Sequence, residues 1–62
     1  LRFFERAGIP QYLARAHLEI GIVYKRLGRD GARAELEEAL RLAKEVGARH
    51  LRALARKELE GL

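Results

Sequence analysis

The chain reads as an all-α protein built around an antiparallel helical hairpin, and three observations predict it. First, Ala, Leu, Arg, Glu and Lys dominate while Ser, Thr, Asn, Cys, Met and Trp are absent, so the strong helix formers fill almost every position. Second, apolar residues recur at helical rather than alternating spacing. Third, the helical patterns are separated by glycines at Gly8, Gly28, Gly31 and Gly47, with Asp30 beside Gly31. Two helices that meet across so short a break as Gly28-Arg29-Asp30-Gly31 pack antiparallel.

Residues 1–7 read as the end of a preceding helix stopped by Gly8, since glycine takes the positive φ just beyond a helix C-terminus. Phe3 and Phe4 ride on that segment as core residues. Ile9-Pro10 restarts the chain, because proline is tolerated in a helix's first turn. The first helix is expected over 10–28. At 100° per residue, Tyr12, Leu13, Ala16, His17, Ile20, Val23, Tyr24 and Leu27 fall on one arc, read as the buried stripe, and the small residues Ala14 and Gly21 extend it. Glycine costs about 0.5–1 kcal/mol inside a helix, so Gly21 predicts the close approach of another helix. Leu18 and Ile22 form a second apolar patch, flanked by Arg15, Lys25 and Arg26.

Gly28 closes this helix, and Asp30 is placed to cap the next, expected over 30–46. One face of that second helix collects Ala32, Leu36, Ala39, Leu40, Ala43 and Val46, and the other carries Arg33, Glu37, Arg41, Lys44 and Glu45. A Glu37–Arg41 pair at i,i+4 would add about 0.3 kcal/mol. Gly47 stops this helix. A last helix over 48–60 places Leu51, Leu54, Ala55 and Leu59 on one stripe and Arg49, Arg52, Arg56 and Glu60 on the other, a polar side wide enough for a capping helix.

At 62 residues the chain is one small domain that buries only about 60% of its unfolded surface. Without cysteine, and with His17 and His50 as the only imidazoles, disulfide staples and a structural zinc site are excluded as support. Oligomerisation or a continuing chain remains, and the start at Leu1 inside a helical pattern reads as a fragment of something longer. No signal peptide or membrane-spanning run is visible, so a cytoplasmic location is expected. The preference for Arg over Lys fits a GC-rich or heat-adapted bacterial source, or a designed sequence.

An internal repeat supports the segmentation. An offset of 39 residues places Leu1-Arg2 on Leu40-Arg41, Gly8 on Gly47, Tyr12 on Leu51, Ala14 on Ala53, Ala16 on Ala55, Glu19 on Glu58 and Ile20 on Leu59. Self-similarity at such a period marks stacked helical hairpins.

The residues resemble a tetratricopeptide repeat. His17, Ile20-Gly21, Tyr24 and Leu27-Gly28 match the marks of that family's first helix, and Ala32, Leu36 and Ala39-Leu40-Arg41-Leu42 those of its second. The 39-residue period exceeds the family's ~34, as in the variant repeats of large bacterial regulators. Leu51-Arg52-Ala53-Leu54-Ala55-Arg56-Lys57-Glu58-Leu59 is similar to the last helix of such arrays in multidomain transcriptional activators and nucleotide-cyclase-linked proteins. The resemblance implies an α-solenoid fragment of three to four helices. It also implies a partner-binding face of Arg15, Leu18, Glu19, Ile22, Lys25 and Arg26, an apolar contact with a basic rim.

The function expected is a protein–protein interaction or scaffold module, part of a larger bacterial signalling or transcription-regulatory protein, with no catalytic residues, cofactor or metal. The alternatives are a self-associating helical module and a basic nucleic-acid-binding fragment. The second rests on a pI near 10 and the arginines, and interleaved glutamates and the lack of a recognition-helix motif count against it. No Ser, Thr or Cys nucleophile is present, and no carboxylate pair is spaced on the buried face for acid–base work.

Overall fold

The computed structural model describes residues 9–62, which form three helices and no strand: α1, Ile9–Leu27; α2, Ala32–Val46; and α3, Arg49–Glu60. The fold of these residues is all-α. The readings of 1–7, Phe3 and Phe4 lie outside the described residues. The helix boundaries fall within two residues of those expected, because glycine stops and helical periodicity are local properties of the chain.

Both predicted stops end α1 and α2 in the same way. Gly28 (φ 69°) and Gly47 (φ 70°) are left-handed. At the end of α1, Gly28 N donates to Lys25 O (3.2 Å) and Arg29 N to Tyr24 O (2.9 Å). At the end of α2, Gly47 N donates to Lys44 O (3.3 Å) and Ala48 N to Ala43 O (2.9 Å). These paired reverse bonds satisfy carbonyls that the helix leaves without a donor. The start of α2 differs from expectation. Gly31 (φ 100°) is the N-cap residue and no side chain caps the helix, so Asp30 does not fill that role. The left-handed Gly31 carries the chain into α2, and Asp30 stands one residue too early. Above this turn the Arg29 guanidinium lies 5.3 Å from the centre of the Tyr24 ring.

The core gathers Leu18 of α1, Leu36 and Ala39 of α2 and Ala55 of α3, with Ile22, Leu40, Leu51 and Leu59 packed against them. Ala14, Ala32 and Ala43 are also buried. α2 therefore packs with the face predicted for it. α1 turns the opposite way from its predicted orientation. The Leu18 side faces inward with Ala14 and Gly21, while Tyr12, Leu13, Ile20, Val23 and Leu27 stand exposed. The physical reason is backbone approach. α2 enters where α1 is thinnest, and Leu36 fills the space above Gly21, so the small residues rather than the bulky arc decide which side is covered.

Two polar contacts tie the helices together. His17 Nδ1 and Glu35 Oε1 lie 2.6 Å apart between α1 and α2, both half-buried. A carboxylate only accepts, so Nδ1 carries the proton in this contact. Lys25 Nζ donates to the Glu58 carboxylate (3.0 Å) and to the Glu58 backbone carbonyl (3.1 Å), joining α1 to the last turn of α3. No buried side-chain polar atom lacks a partner among the described residues.

Candidate binding groove between the first and third helices

α1 and α3 lie side by side and point the same way, because each is joined to α2 by a reversal. Between them runs a shallow groove of about 260 Å³, lined by Arg15, Leu18, Glu19 and Ile22 from α1 and by His50, Leu51 and Leu54 from α3. Its floor is the edge of the core: Leu18 is 4% exposed and Ile22 half-buried. Its sides are apolar, with Leu54 37% exposed. At the rim Arg15 Nε donates to Glu19 Oε2 (3.3 Å), an i,i+4 pair between two exposed side chains. One turn beyond Ile22 on α1, the Lys25–Glu58 contact bridges the two helices.

The six residues assigned to a partner face therefore separate. Arg15, Leu18, Glu19 and Ile22 meet along one groove. Leu18 contributes mainly to this chain's own core rather than to a free surface. Lys25 is engaged with Glu58, and Arg26 is exposed outside the groove lining. The α3 half of the groove is not assigned by the sequence, which sets Leu51 and Leu54 on one stripe of the last helix and gives His50 no binding role. The available signal was spacing: Leu54 lies one helical turn from Leu51, and the 39-residue offset places Arg15 on Leu54. The repeat thus sets a leucine where α1 has a rim arginine.

The charged groups with displaced titration lie elsewhere, on the outside of α2. Arg41 Nε donates to Glu38 Oε1 (2.9 Å) while Nη2 donates to Oε2, and Nη1 reaches Glu45. The bidentate hydrogen bond from Arg41 holds the Glu38 carboxyl below its usual range, and the same bond raises the Arg41 guanidinium. The expected Glu37–Arg41 pair is replaced by these contacts, since the planar guanidinium fork is satisfied by Glu38 at i−3 and Glu45 at i+4 together.

The groove joins apolar side chains to a rim of Arg15, Glu19 and His50. The His17–Glu35 contact lies between α1 and α2, and the sequence contains no Ser, Thr or Cys to complete a nucleophilic site. Among the described residues no cluster of three or more His, Asp or Glu side chains is arranged to hold a metal ion. No described helix is long and apolar enough to cross a membrane. Comparison with protein-family models, with curated proteins and with solved structures gives no match.

Proposed function

We propose that this chain is a tetratricopeptide-like hairpin repeat acting as a protein-interaction module, with no chemistry of its own, and that its groove between α1 and α3 takes an extended or helical peptide segment. The observation that carries the reading is the groove itself: apolar walls from Ile22, Leu51 and Leu54, with Arg15, Glu19 and His50 at the edges. Apolar contacts there supply affinity, and the edge charges select orientation. Further support comes from the antiparallel α1–α2 hairpin, the 39-residue internal repeat and the close packing at Gly21. A place in a larger bacterial regulatory protein follows from the same resemblance.

The test is selection of binding peptides from a random displayed library, followed by NMR mapping on the labelled chain. The expected result is a peptide whose chemical-shift changes center on Arg15, Ile22, His50 and Leu54. Leu54→Glu, at a partly exposed position, should then abolish binding while leaving the helical circular-dichroism signal unchanged. Enrichment of no peptide, or shifts confined to other faces, rejects the groove as the binding site. Loss of all binding in raised salt without dependence on Leu54 would favour a purely electrostatic contact instead.

A further inference from the structure

Glutamates interleave with the basic residues along the sequence, but the helices sort the two signs in space. Glu19 pairs with Arg15, Glu35 with His17, Glu58 with Lys25, and Glu38 and Glu45 with Arg41. None of these contacts involves the outer side of α3. At 100° per residue, Arg52, Arg56, Arg49, Ala53 and Lys57 follow one another around an arc of about 140° on that helix. All five are exposed. Glu60 is the one acidic residue in the arc, and it stands at the last position of the helix. Among the described residues, Arg49, Arg52, Arg56 and Lys57 enter no ion pair. Four cations therefore face water along about 12 Å of helix.

The composition of the arc decides the class of partner. Its only apolar side chain is Ala53, so a protein partner finds no anchor there for the desolvated centre of an interface. A helix lying in a membrane surface needs large apolar side chains beside its cations, and the arc has none. It carries no Phe, Tyr or Trp on which unpaired bases could stack, and no Asn or Gln to read an adenine edge. What it presents is guanidinium forks, whose geometry matches phosphate oxygens two at a time. A duplex carries one charge per about 1.7 Å of its axis, so successive placements along it bring phosphates to the same four cations.

We propose that the outer side of α3 is a nucleic-acid contact, in which Arg49, Arg52, Arg56 and Lys57 bind the phosphate backbone of a duplex independently of its base sequence. The contact uses none of the groove residues, and it stands whether or not the groove between α1 and α3 takes a peptide.

The test is fluorescence anisotropy of the full chain with labelled DNA duplexes of about 20 base pairs, in two unrelated sequences, from about 50 to 200 mM NaCl. Four phosphate contacts should give a slope of log affinity against log salt of about −3 to −4, and the two sequences should bind within about threefold of each other. Substituting Arg49→Gln, Arg52→Gln and Arg56→Gln together should flatten the slope to about −1 and weaken binding by at least about tenfold at the lowest salt. The control triple, Arg26→Gln, Arg33→Gln and Lys44→Gln, is also exposed and likewise takes the net charge from +4 to +1. It should weaken binding by less than about threefold, with the helical circular-dichroism signal unchanged in both triples. Absence of duplex binding at the lowest salt overturns the proposal, and so does an equal loss in the two triples, which would assign the attraction to net charge alone. Polyglutamate that competes as well as unlabelled duplex at equal charge makes an acidic protein the partner. Tighter binding to phosphatidylserine vesicles than to duplex makes it a membrane, and either result also overturns the proposal.

Discussion

Leu36 occupies the space that a side chain at Gly21 would need. A Cβ at Gly21 would stand 2.7 Å from Leu36 Cγ and Cδ2 and 3.2 Å from Leu36 N. Leu36 is fully buried, so it has no solvent side to move into. Gly21→Ala gains up to about 1 kcal/mol of helix propensity but overpacks the core, at a cost of about 1–3 kcal/mol. The net effect expected is a lower Tm. Leu36→Ala alone should cost about 2–5 kcal/mol. The double variant should be less destabilised than the sum of the two, because the new methyl enters the vacated space. Denaturant titration of the four proteins tests this, and additivity would show that the two residues do not share a space.

The Lys25–Glu58 contact anchors the end of α3. Lys25→Met keeps the apolar stem and removes both hydrogen bonds, one of them to a carbonyl in the last turn of α3. A loss of about 1 kcal/mol is expected, discounted from the full value of a charge-assisted bond because both side chains retain some exposure. Amide exchange should accelerate in α3 more than in α2. A uniform acceleration along the whole chain would mean that the contact supports the fold globally rather than this helix end.

A salt- and acid-sensitive contribution is expected on the outside of α2. The hydrogen bond from Arg41 lowers the Glu38 carboxyl, so the folded state holds its proton less tightly than the unfolded chain. The stabilisation is therefore present above the ordinary glutamate range and is lost as pH falls through and below that range. Arg41→Gln should lower Tm slightly at pH 7, and the gap to the parent should narrow as the pH is taken below the ordinary glutamate range and in 1 M salt. A gap that persists in both conditions would assign the effect to packing of the arginine stem.

The handedness of an added methyl should decide its effect at Gly47 but not at Gly21. Nothing lies within 4 Å of a Cβ at Gly47, so φ of 70° is the whole constraint there. L-Ala should cost about 1–2 kcal/mol by forcing a left-handed backbone. D-Ala, which adopts that conformation without strain, should stabilise by about 0.4–1 kcal/mol through the unfolded chain. Chemical synthesis of the 62-residue chain allows both to be compared by thermal melts. At Gly21 neither substitution should stabilise.

These contrasts also explain what was legible in advance. The three helices and their stops were readable because periodicity and left-handed glycines act within a few residues, as at Gly28 and Gly47. Which side of α1 is covered was not, because Tyr12, Ile20 and Val23 look like core residues wherever their neighbour stands. The deciding feature was the thinness of the Ala14–Leu18–Gly21 side, which lets Leu36 approach. Asp30 satisfied a capping preference that Gly31 made unnecessary, and Arg41 had three glutamates within reach in sequence, of which geometry selected two. Half of the groove followed from the α1 pattern. The α3 half required knowing that α3 runs beside α1, a relationship fixed by two successive reversals.

Those reversals also keep the packed surfaces local in sequence. α1 and α2 are separated by only residues 28–31, and α2 and α3 by 47–48, so nearly every packed surface forms between segments adjacent in sequence. Such a topology has little chain to close before contacts form, and it belongs to the class that folds in microseconds to milliseconds. The order expected on folding is Leu36 seating over Gly21 first, with α3 reaching the Lys25–Glu58 contact afterwards. Slowing at Leu36 but not at Glu58 would be the kinetic signature of that sequence of events, with Glu58 substitutions appearing chiefly in the unfolding rate.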